Sequence, residues 1–238
     1  HWSETMVSYL VEEKILFSCD FFGAHLATSN MFADEDPLVL ESNKLYYSQI
    51  MMPLANFVKK NLDVVESLDI DMICPSHGPI YNKPRFVLDA YWQWVTGQPK
   101  NLVVIPYITM HHSTLHMVER LTAALGNLGV TVKPFNLETA DTGQIALSLV
   151  DAATVILASP TLLGGPHPSM ANIIAIAALL KPKAPFLGFI GSYGWANTTV
   201  RRVESMVEPL GKEWLPPVTH KGLPNEDTYA ALDRLAET

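Results

Sequence analysis

Apolar and polar positions follow a regular pattern over the second half of the chain. Five ranges carry the short apolar runs that are typical of strands: 101–107, 130–137, 154–160, 185–192 and 213–220. Five further ranges have apolar residues at the spacing of amphipathic helices: 113–129, 142–153, 168–181, 198–211 and 225–237. Strands that alternate with helices predict an open parallel sheet. Right-handed crossovers favour a doubly wound α/β fold with five strands.

The first half has a less regular pattern. Apolar runs at 12–19 and 69–74 predict strands, and residues 45–65 predict a helix. The pattern changes at the sequence GQPK, residues 97–100. We therefore expect two domains, 1–98 and 99–238.

Composition excludes several classes of protein. A formal net charge of −8 argues against a partner nucleic acid. The longest apolar runs reach about ten residues, against roughly 20 for a membrane span, so no membrane partner is expected. Cys19 and Cys74 lack CxxC spacing, which favours two buried free thiols and a cytoplasmic protein.

Three polar or glycine-rich loops follow the first, third and fourth strands of the predicted sheet, at residues 109–114, 159–168 and 191–199. Each alone is typical of an ordinary turn or helix start. Carboxyl ends of parallel strands are also where doubly wound sheets bind ligands. A hydroxyl-rich helix start suits a phosphate, and the apolar and aromatic loops beside it suit a flat ring. Together, the three loops predict FMN.

The sequences TMHHST, SPTLLGGP and GSYGW resemble the three FMN loops of a flavodoxin-like domain covering residues from about 101 to 238. The resemblance implies that the first loop wraps the phosphate and that the other two flank the ring. The implied cofactor-binding residues are Thr109, Met110, His111, His112, Ser113, Thr114, Pro160, Thr161, Leu162, Leu163, Gly164, Gly165, Ser192, Tyr193, Gly194, Trp195 and Ala196. Many such loops carry Gly before the final hydroxyl pair, where this chain has His111 and His112.

Three residues of the first half lie where apolar segments end or begin: His1, Asp20 and His77. His77 is held in the sequence PSHGP. Neutral imidazole and anionic carboxylate groups on rigid segments are the donors that a metal site needs. A single His in such a loop is more often a surface or hydrogen-bonded residue, so the metal site is a hypothesis at this point.

The stretch HWSETMVSYLVEEKILFSCDFFGAH, followed by CPSHGPIY, resembles the second half of a metallo-β-lactamase-type domain. With a flavodoxin-like domain behind it, the chain resembles the flavodiiron proteins, or A-type flavoproteins. The resemblance implies a partial αββα segment before the flavodoxin-like sheet. It implies that His1, Asp20 and His77 are iron ligands, with Asp20 as the bridging carboxylate, and that His25 lies beside them.

The family's HxExDH ligand cluster is not in this sequence. The resemblance therefore implies a C-terminal fragment that lacks the upstream ligands. The other half would be a separate chain, or residues 1–98 would pack onto the second domain.

The resemblance implies an oxidoreductase that reduces dioxygen to water or nitric oxide to nitrous oxide, with electrons passing from a donor to FMN and then to a diiron centre. Rubredoxin, a reduced deazaflavin or a flavin reductase are the donors it suggests. A head-to-tail homodimer would bring Trp195 and residues 159–166 near the subunit interface. Two alternatives stay open: an FMN-binding electron carrier without its own metal chemistry, and an α/β scaffold that binds neither group.

Overall fold

The computed structural model describes residues 5–238, so the predicted ligand His1 lies outside the described residues. The chain divides after Gln98 into two compact units, which are described separately below. No helix among the described residues has the length and apolar character needed to cross a bilayer.

The first unit contains one small sheet. Its strands are β1 (Ser8–Leu10), β2 (Ile15–Cys19) and β3 (Met72–Pro75). β1 is antiparallel to β2, and β2 is parallel to β3. A parallel pair needs a long crossover, and the residues between β2 and β3 supply it with two helices. The helices of this unit are α1 (Pro37–Tyr46), α2 (Ala55–Glu66) and α3 (Arg85–Thr96).

The single helix predicted at 45–65 is wrong. A π-helical turn at Tyr47–Met51 and a 3-10 turn at Met52–Leu54 separate α1 from α2. Pro53 lies within the 3-10 turn, and proline removes a helical donor and clashes with the preceding turn. The helical pattern therefore continues through this region, but the regular α-helix does not.

Aromatic side chains form the core of the first unit. Phe21 and Phe22 stack with ring centroids 3.9 Å apart, and Phe22 meets Tyr91 edge-on at 4.9 Å. Tyr91 continues the contact to Tyr47 and Trp94. The cluster anchors the chain segment that leaves β2.

The two faces of the small sheet differ in burial. Leu16 and Ile73 are fully buried on one face. On the other face, Phe17 is 49% exposed and Leu10 41% exposed. Pairing across the strands places Ile15, Met72 and Cys74 on the same side as these two residues. We call this set of five apolar side chains, Leu10, Ile15, Phe17, Met72 and Cys74, the open sheet face.

The second unit is the doubly wound α/β fold that the sequence predicts. Its main strands are β4 (Lys100–Tyr107), β5 (Thr131–Asn136), β6 (Ala152–Ala158) and β9 (Phe186–Tyr193). Its helices are α4 (Ser113–Asn127), α5 (Thr142–Leu149), α6 (Pro168–Leu180), α7 (Thr199–Val207) and α8 (Glu226–Ala236). The parallel strands run β5–β4–β6–β9 across the sheet, followed by the fifth strand. The strand order reverses between β4 and β6, which is where such sheets bind ligands.

The fifth predicted strand is divided into β10 (Glu213–Trp214) and β11 (Val218–Lys221), and both pieces pair with β9. Pro216 and Pro217 lie between them. Because proline cannot donate to a ladder, the pairing is interrupted there.

A short hairpin after β6 is absent from the sequence prediction. Its strands are β7 (Thr161–Leu162) and β8 (Gly165–Pro166). Leu163 and Gly164 form the tip, with φ values of +50° and +78°. Two successive positive φ angles are typical of the tight hairpin turn that matches strand twist.

Both faces of this sheet are covered. Ile105 and Ile156 pack in a core with residues of α4 and α8, including Met117 and Leu232. Side chains of alternate sheet positions, such as Leu157, face α5 and α6 on the other side. The unit therefore encloses its own sheet.

Candidate functional site

Asp20 and His77 come together at the ends of β2 and β3. The parallel pairing aligns Cys19 with Pro75, and the Ser76 amide donates to the Cys19 carbonyl at 2.8 Å. The residues that follow the two strands therefore lie side by side. His77 Nε2 is 3.6 Å from Asp20 Oδ1, and both side chains are about one-quarter exposed.

Two glycines leave room for the His77 ring and its loop. A Cβ atom on Gly23 would lie closer than 3.0 Å to the imidazole. Gly78 has a φ of +83°, and a Cβ there would press on the Ala24 backbone. His77 Nδ1 lies 3.4 Å from the Ala24 carbonyl oxygen. A proton on Nδ1 would leave the Nε2 lone pair for the side where Asp20 lies, which is the arrangement metal-binding histidines use.

Asn43 fixes the turn that carries Gly23. Its Nδ2 donates to the carbonyls of Phe22 and Gly23 at 2.7 Å each. The Tyr81 hydroxyl donates to the Phe22 carbonyl at 3.0 Å. Asn43 is fully buried in α1. Sequence reasoning missed this residue, because an Asn in a helical pattern gives no sign of its distant partners.

His25 and Tyr46 complete the surroundings of His77. The His25 and His77 ring centroids are 4.9 Å apart, and Tyr46 lies 4.9 Å from His77 and 4.8 Å from His25. Burial, together with the charge of Asp20, raises the pKa of Tyr46 to about 12. Tyr46 therefore keeps its hydroxyl proton beside the Asp20–His77 pair. It is a second residue that the sequence did not reveal.

The donors that meet here are few. No group of three or more His, Cys, Asp or Glu side chains that could hold a metal occurs among residues 5–238. Asp20 and His77 have the right chemistry for iron but cannot alone close a diiron site. Cys19 and Cys74 are free, as predicted, but half-buried rather than buried.

The first loop of the second unit ends in a strained helix start. His112 precedes α4 with a φ of +62°, and its side chain makes no capping hydrogen bond. This is one of the two positions where many related loops carry Gly, which adopts this conformation without strain. The Thr109 hydroxyl is buried and has no hydrogen-bond partner among the described residues. Buried polar atoms normally have partners, so the Thr109 hydroxyl is available to donate a hydrogen bond to a ligand.

Hydrogen bonds join the three loops. Thr114 Oγ1 and Ser192 Oγ lie 3.1 Å apart, which links the first loop to the end of β9. The Thr199 hydroxyl donates to that of Thr161 at 2.7 Å, and the Thr198 hydroxyl donates to the Gly164 carbonyl at 2.8 Å. The hairpin is thereby joined to the start of α7.

Close backbone packing places these loops. A Cβ on Gly191 would lie closer than 3.0 Å to the Ser159 carbonyl oxygen. One on Gly165 would approach the Arg202 guanidinium at 3.1 Å, and Arg202 is a neighbour that the sequence did not indicate. Pro160 is buried beneath the hairpin.

Several predicted loop residues lie at the surface. Leu163 and Trp195 are 94% and 99% exposed. Met110, His111, Gly194 and Ala196 are also exposed, whereas Ser113, Leu162 and Tyr193 are half-buried. Exposed apolar and aromatic side chains at the carboxyl end of a parallel sheet, beside an uncapped helix start, suit a flat anionic ligand.

Comparison with known proteins gives consistent relatives for both units. A family model described as "ODP family beta lactamase" matches residues 1–78. The nitric oxide reductase of Moorella thermoacetica is 34% identical over 213 residues, covering 87% of this chain and 53% of that protein. The rubredoxin-oxygen oxidoreductase of Megalodesulfovibrio gigas is 31% identical over 246 residues, covering 100% of this chain and 61% of that protein.

The chain is also similar to solved structures of proteins of the same kind. The rubredoxin oxygen:oxidoreductase from Desulfovibrio gigas has a TM-score of 0.95 and 30% identity, covering 100% of this chain and 61% of that one. The flavodiiron protein from Giardia intestinalis has a TM-score of 0.90 and 26% identity, covering 99% and 60%. The chain thus spans between about half and three-fifths of the length of these relatives. It belongs to the flavodiiron protein family.

Proposed function

We propose that this chain is part of an enzyme that reduces dioxygen, nitric oxide or both, using FMN and a diiron centre. The observation that carries the proposal is the meeting of Asp20 and His77 at two aligned strand ends. These are two of the three iron ligands that the resemblance to the flavodiiron proteins implies. The names of two relatives, an oxygen oxidoreductase and a nitric oxide reductase, support both substrates.

Residues 99–238 are the proposed FMN-binding domain, and all three loops contribute. When bound, FMN would supply one- and two-electron transfer. The Thr109 hydroxyl and the uncapped amides of α4 would hold the phosphate, while the hairpin and residues 192–196 would flank the ring. The unpartnered Thr109 hydroxyl fits this assignment, because a phosphate oxygen would accept its hydrogen bond.

Residues 1–98 are the proposed C-terminal half of a metallo-β-lactamase-like diiron domain. His1, Asp20 and His77 would be the iron ligands from this chain, with His25 beside them. Iron would supply the redox-active centre that binds the diatomic substrate. Asp20 would contribute negative charge. The Gly23 backbone would hold the His77 ring in place by close packing. The protonated Tyr46 hydroxyl would donate a hydrogen bond to an anionic group nearby.

The remaining ligands would come from a polypeptide equivalent to the part of the relatives that this chain does not span. The open sheet face supports this proposal. Phe17 and Leu10 are exposed on a sheet whose other side buries Leu16 and Ile73 fully, and apolar sheet faces are stable when packed on another layer. A separate chain carrying that part would cover the face and bring further donors to Asp20 and His77.

We also propose electron donors and an oligomeric state. One relative is named for rubredoxin, and another, from Methanothermobacter thermautotrophicus, is a "Coenzyme F420H(2) oxidase" at 31% identity. Rubredoxin, a reduced deazaflavin and a flavin reductase are therefore the proposed donors. A head-to-tail homodimer, with Trp195 near the interface, and a cytoplasmic location also remain predictions.

Flavin binding tests the second unit. The purified chain is titrated with FMN while flavin fluorescence is followed. Thr109→Val should weaken binding at least tenfold, because it removes the unpartnered donor without changing size. Thr139→Val, at an exposed position outside the three loops, is the matched control. Equal affinity in all three proteins would contradict the phosphate assignment.

Iron analysis separates the enzyme from its main alternative. The chain is co-expressed with the part of the Moorella thermoacetica relative that it does not span. About two irons per complex and consumption of nitric oxide or dioxygen are expected, and His77→Ala should abolish both. FMN binding without iron would instead support an electron carrier, and binding of neither would support the bare scaffold.

A further inference from the structure

The second unit contains an apolar cavity on the side of the sheet opposite α4 and α8. It lies between strands β4, β6 and β9 and helices α5 and α6. The residues that matter for its shape are Ile145, Leu149, Leu157, Ile173, Ala177 and Leu187. We call it the α5–α6 cavity. It is separate from the three loops at the carboxyl end of the sheet, none of whose residues line it.

The cavity has room for a small molecule. The centre of a water-sized sphere can move through about 20 Å³ of it. On the same measure about 10–15 Å³ is enough for one water molecule. Protein interiors seldom leave voids larger than a water molecule, so the space is notable for a chain of this size.

Water is a poor occupant of this space. A buried water needs two to four polar partners, whereas the lining is almost wholly aliphatic. Lys212 is the only titratable residue in the lining. Burial lowers the pKa of its ammonium group, which shows that its surroundings solvate charge poorly. Most of the lining is buried, but Ala177 and Lys212 are half-buried, so the cavity opens towards the surface beside them. Empty apolar cavities stay dry and take up apolar solutes such as xenon.

Ala177 has the smallest side chain that α6 contributes to the lining. It lies one turn after Ile173 and Ile174, which also line the cavity and are buried, whereas Ala177 is half-buried. A leucine at position 177 would add three carbon atoms at this point.

We propose that the α5–α6 cavity binds small apolar solutes of the size of dioxygen and nitric oxide. Both gases dissolve better in apolar media than in water, and the cavity offers them an apolar, pre-formed space. Binding needs neither FMN nor iron, so this inference does not rest on the proposed reductase activity. It would place a store of diatomic gas inside the second unit.

Methyl NMR of the full chain under xenon pressure tests the inference. Saturable shifts are expected for the methyl groups of Ile145, Leu149 and Leu187. Ala177→Leu should weaken xenon binding at least tenfold. Ala175→Leu, on the exposed side of the same helix, should leave it unchanged. Equal xenon affinity in the two variants would overturn the proposal.

A second measurement needs no variant. Dissolved dioxygen is paramagnetic, and it relaxes the protons that it contacts. Buried Leu157 and Ile173 methyl protons should relax faster than those of Leu163 and Leu179, which are exposed by 94% and 72%. Relaxation that simply follows solvent exposure would show that the cavity excludes the gas.

Discussion

The two units place their candidate functional groups in the same way. They differ in how completely each unit covers the faces of its own sheet. Each brings functional groups to the carboxyl ends of parallel strands: Asp20 and His77 in the first unit, and the three loops in the second. The second unit covers both faces of its sheet with helices. The first unit buries Leu16 and Ile73 but leaves Leu10 and Phe17 of the open sheet face exposed.

This difference bears on function. The loops of the second unit are joined to one another by side-chain hydrogen bonds, and the Thr109 hydroxyl in the first loop has no partner among the described residues. The proposed FMN site of this unit therefore lies wholly within the unit. The first unit packs the His77 ring against Gly23 and beside Asp20, but its described residues offer too few donors for a metal. We therefore expect substitutions in the second unit to act on that unit alone. Substitutions in the first unit should alter the proposed metal site, whose remaining ligands would come from another polypeptide.

The largest effect is expected from Gly191→Val. The new side chain would collide with the Ser159 carbonyl, which is backbone and cannot move freely. Overpacking of this kind should cost about 3 kcal/mol or more of unfolding free energy. Hydrogen exchange, read separately for each unit, measures it. Gly194→Val, where a Cβ meets nothing within 4 Å, is the control, and protection of β2 and β3 in the first unit should not change.

A loss of protection in both units would break the comparison, since it would show that they unfold together. Retained protection of β6 and β9 in Gly191→Val would show that the strand ends are less tightly packed than the structure indicates.

Much of the second unit could be predicted from sequence, because its strands and helices repeat a strong local pattern. All five predicted helices occur, and four strands have bounds within two residues of prediction at each end. The exceptions have local causes that the pattern does not express. The predicted helix at 142–153 ends at Leu149, since Ala152 already joins β6, and Pro216 and Pro217 divide the last strand.

The first unit was less predictable, because its site depends on contacts between distant residues. Asp20 and His77 were identifiable from the ends of apolar segments. Asn43 and Tyr46 were not, since a helical pattern does not reveal that a side chain reaches a carbonyl about 20 residues earlier or meets an imidazole 31 residues later. The π-helical turn beside Tyr46 also lies within an unbroken apolar pattern.

Asn43→Leu should have the next largest effect and should be confined to the first unit. It removes the amide donor to the Phe22 and Gly23 carbonyls. The Phe22 carbonyl keeps the Tyr81 hydroxyl, but the buried Gly23 carbonyl is left unpaired, which costs about 2 kcal/mol. Hydrogen exchange of the β2 and β3 amides, compared with those of β6 and β9, reports the loss. Asn56→Leu, at an exposed position of α2, should change stability little. An equal loss in the two variants would mean that Asn43 does not anchor the turn.

A double-mutant cycle tests whether Gly23 serves His77. Gly23→Ala alone should cost about 1 to 2 kcal/mol, because the imidazole must move. In a His77→Ala background the same change should cost almost nothing, since its clashing partner is gone. The difference between the two costs is the measurement. Equal costs would show that Gly23 is needed for the backbone rather than for the ring.

The smallest expected effect is a change in alkaline stability in Tyr46→Phe. The pKa of Tyr46 is raised to about 12 by burial and by Asp20, whereas an unfolded tyrosine has a pKa near 10. The folded state therefore holds its proton where the unfolded state releases it. The stabilisation is fully present below pH 10 and is lost as pH rises through 12.

The pKa values of Tyr47, Tyr81 and Tyr91 are raised as well, so the Tyr46→Phe variant should keep part of the pH dependence of stability. At pH 10.5 the wild-type chain should have lost less than about 1 kcal/mol more than Tyr46→Phe, relative to pH 8. Identical pH profiles for the two proteins would show that the Tyr46 hydroxyl titrates as it does in water, and it would then be no protected donor beside Asp20 and His77.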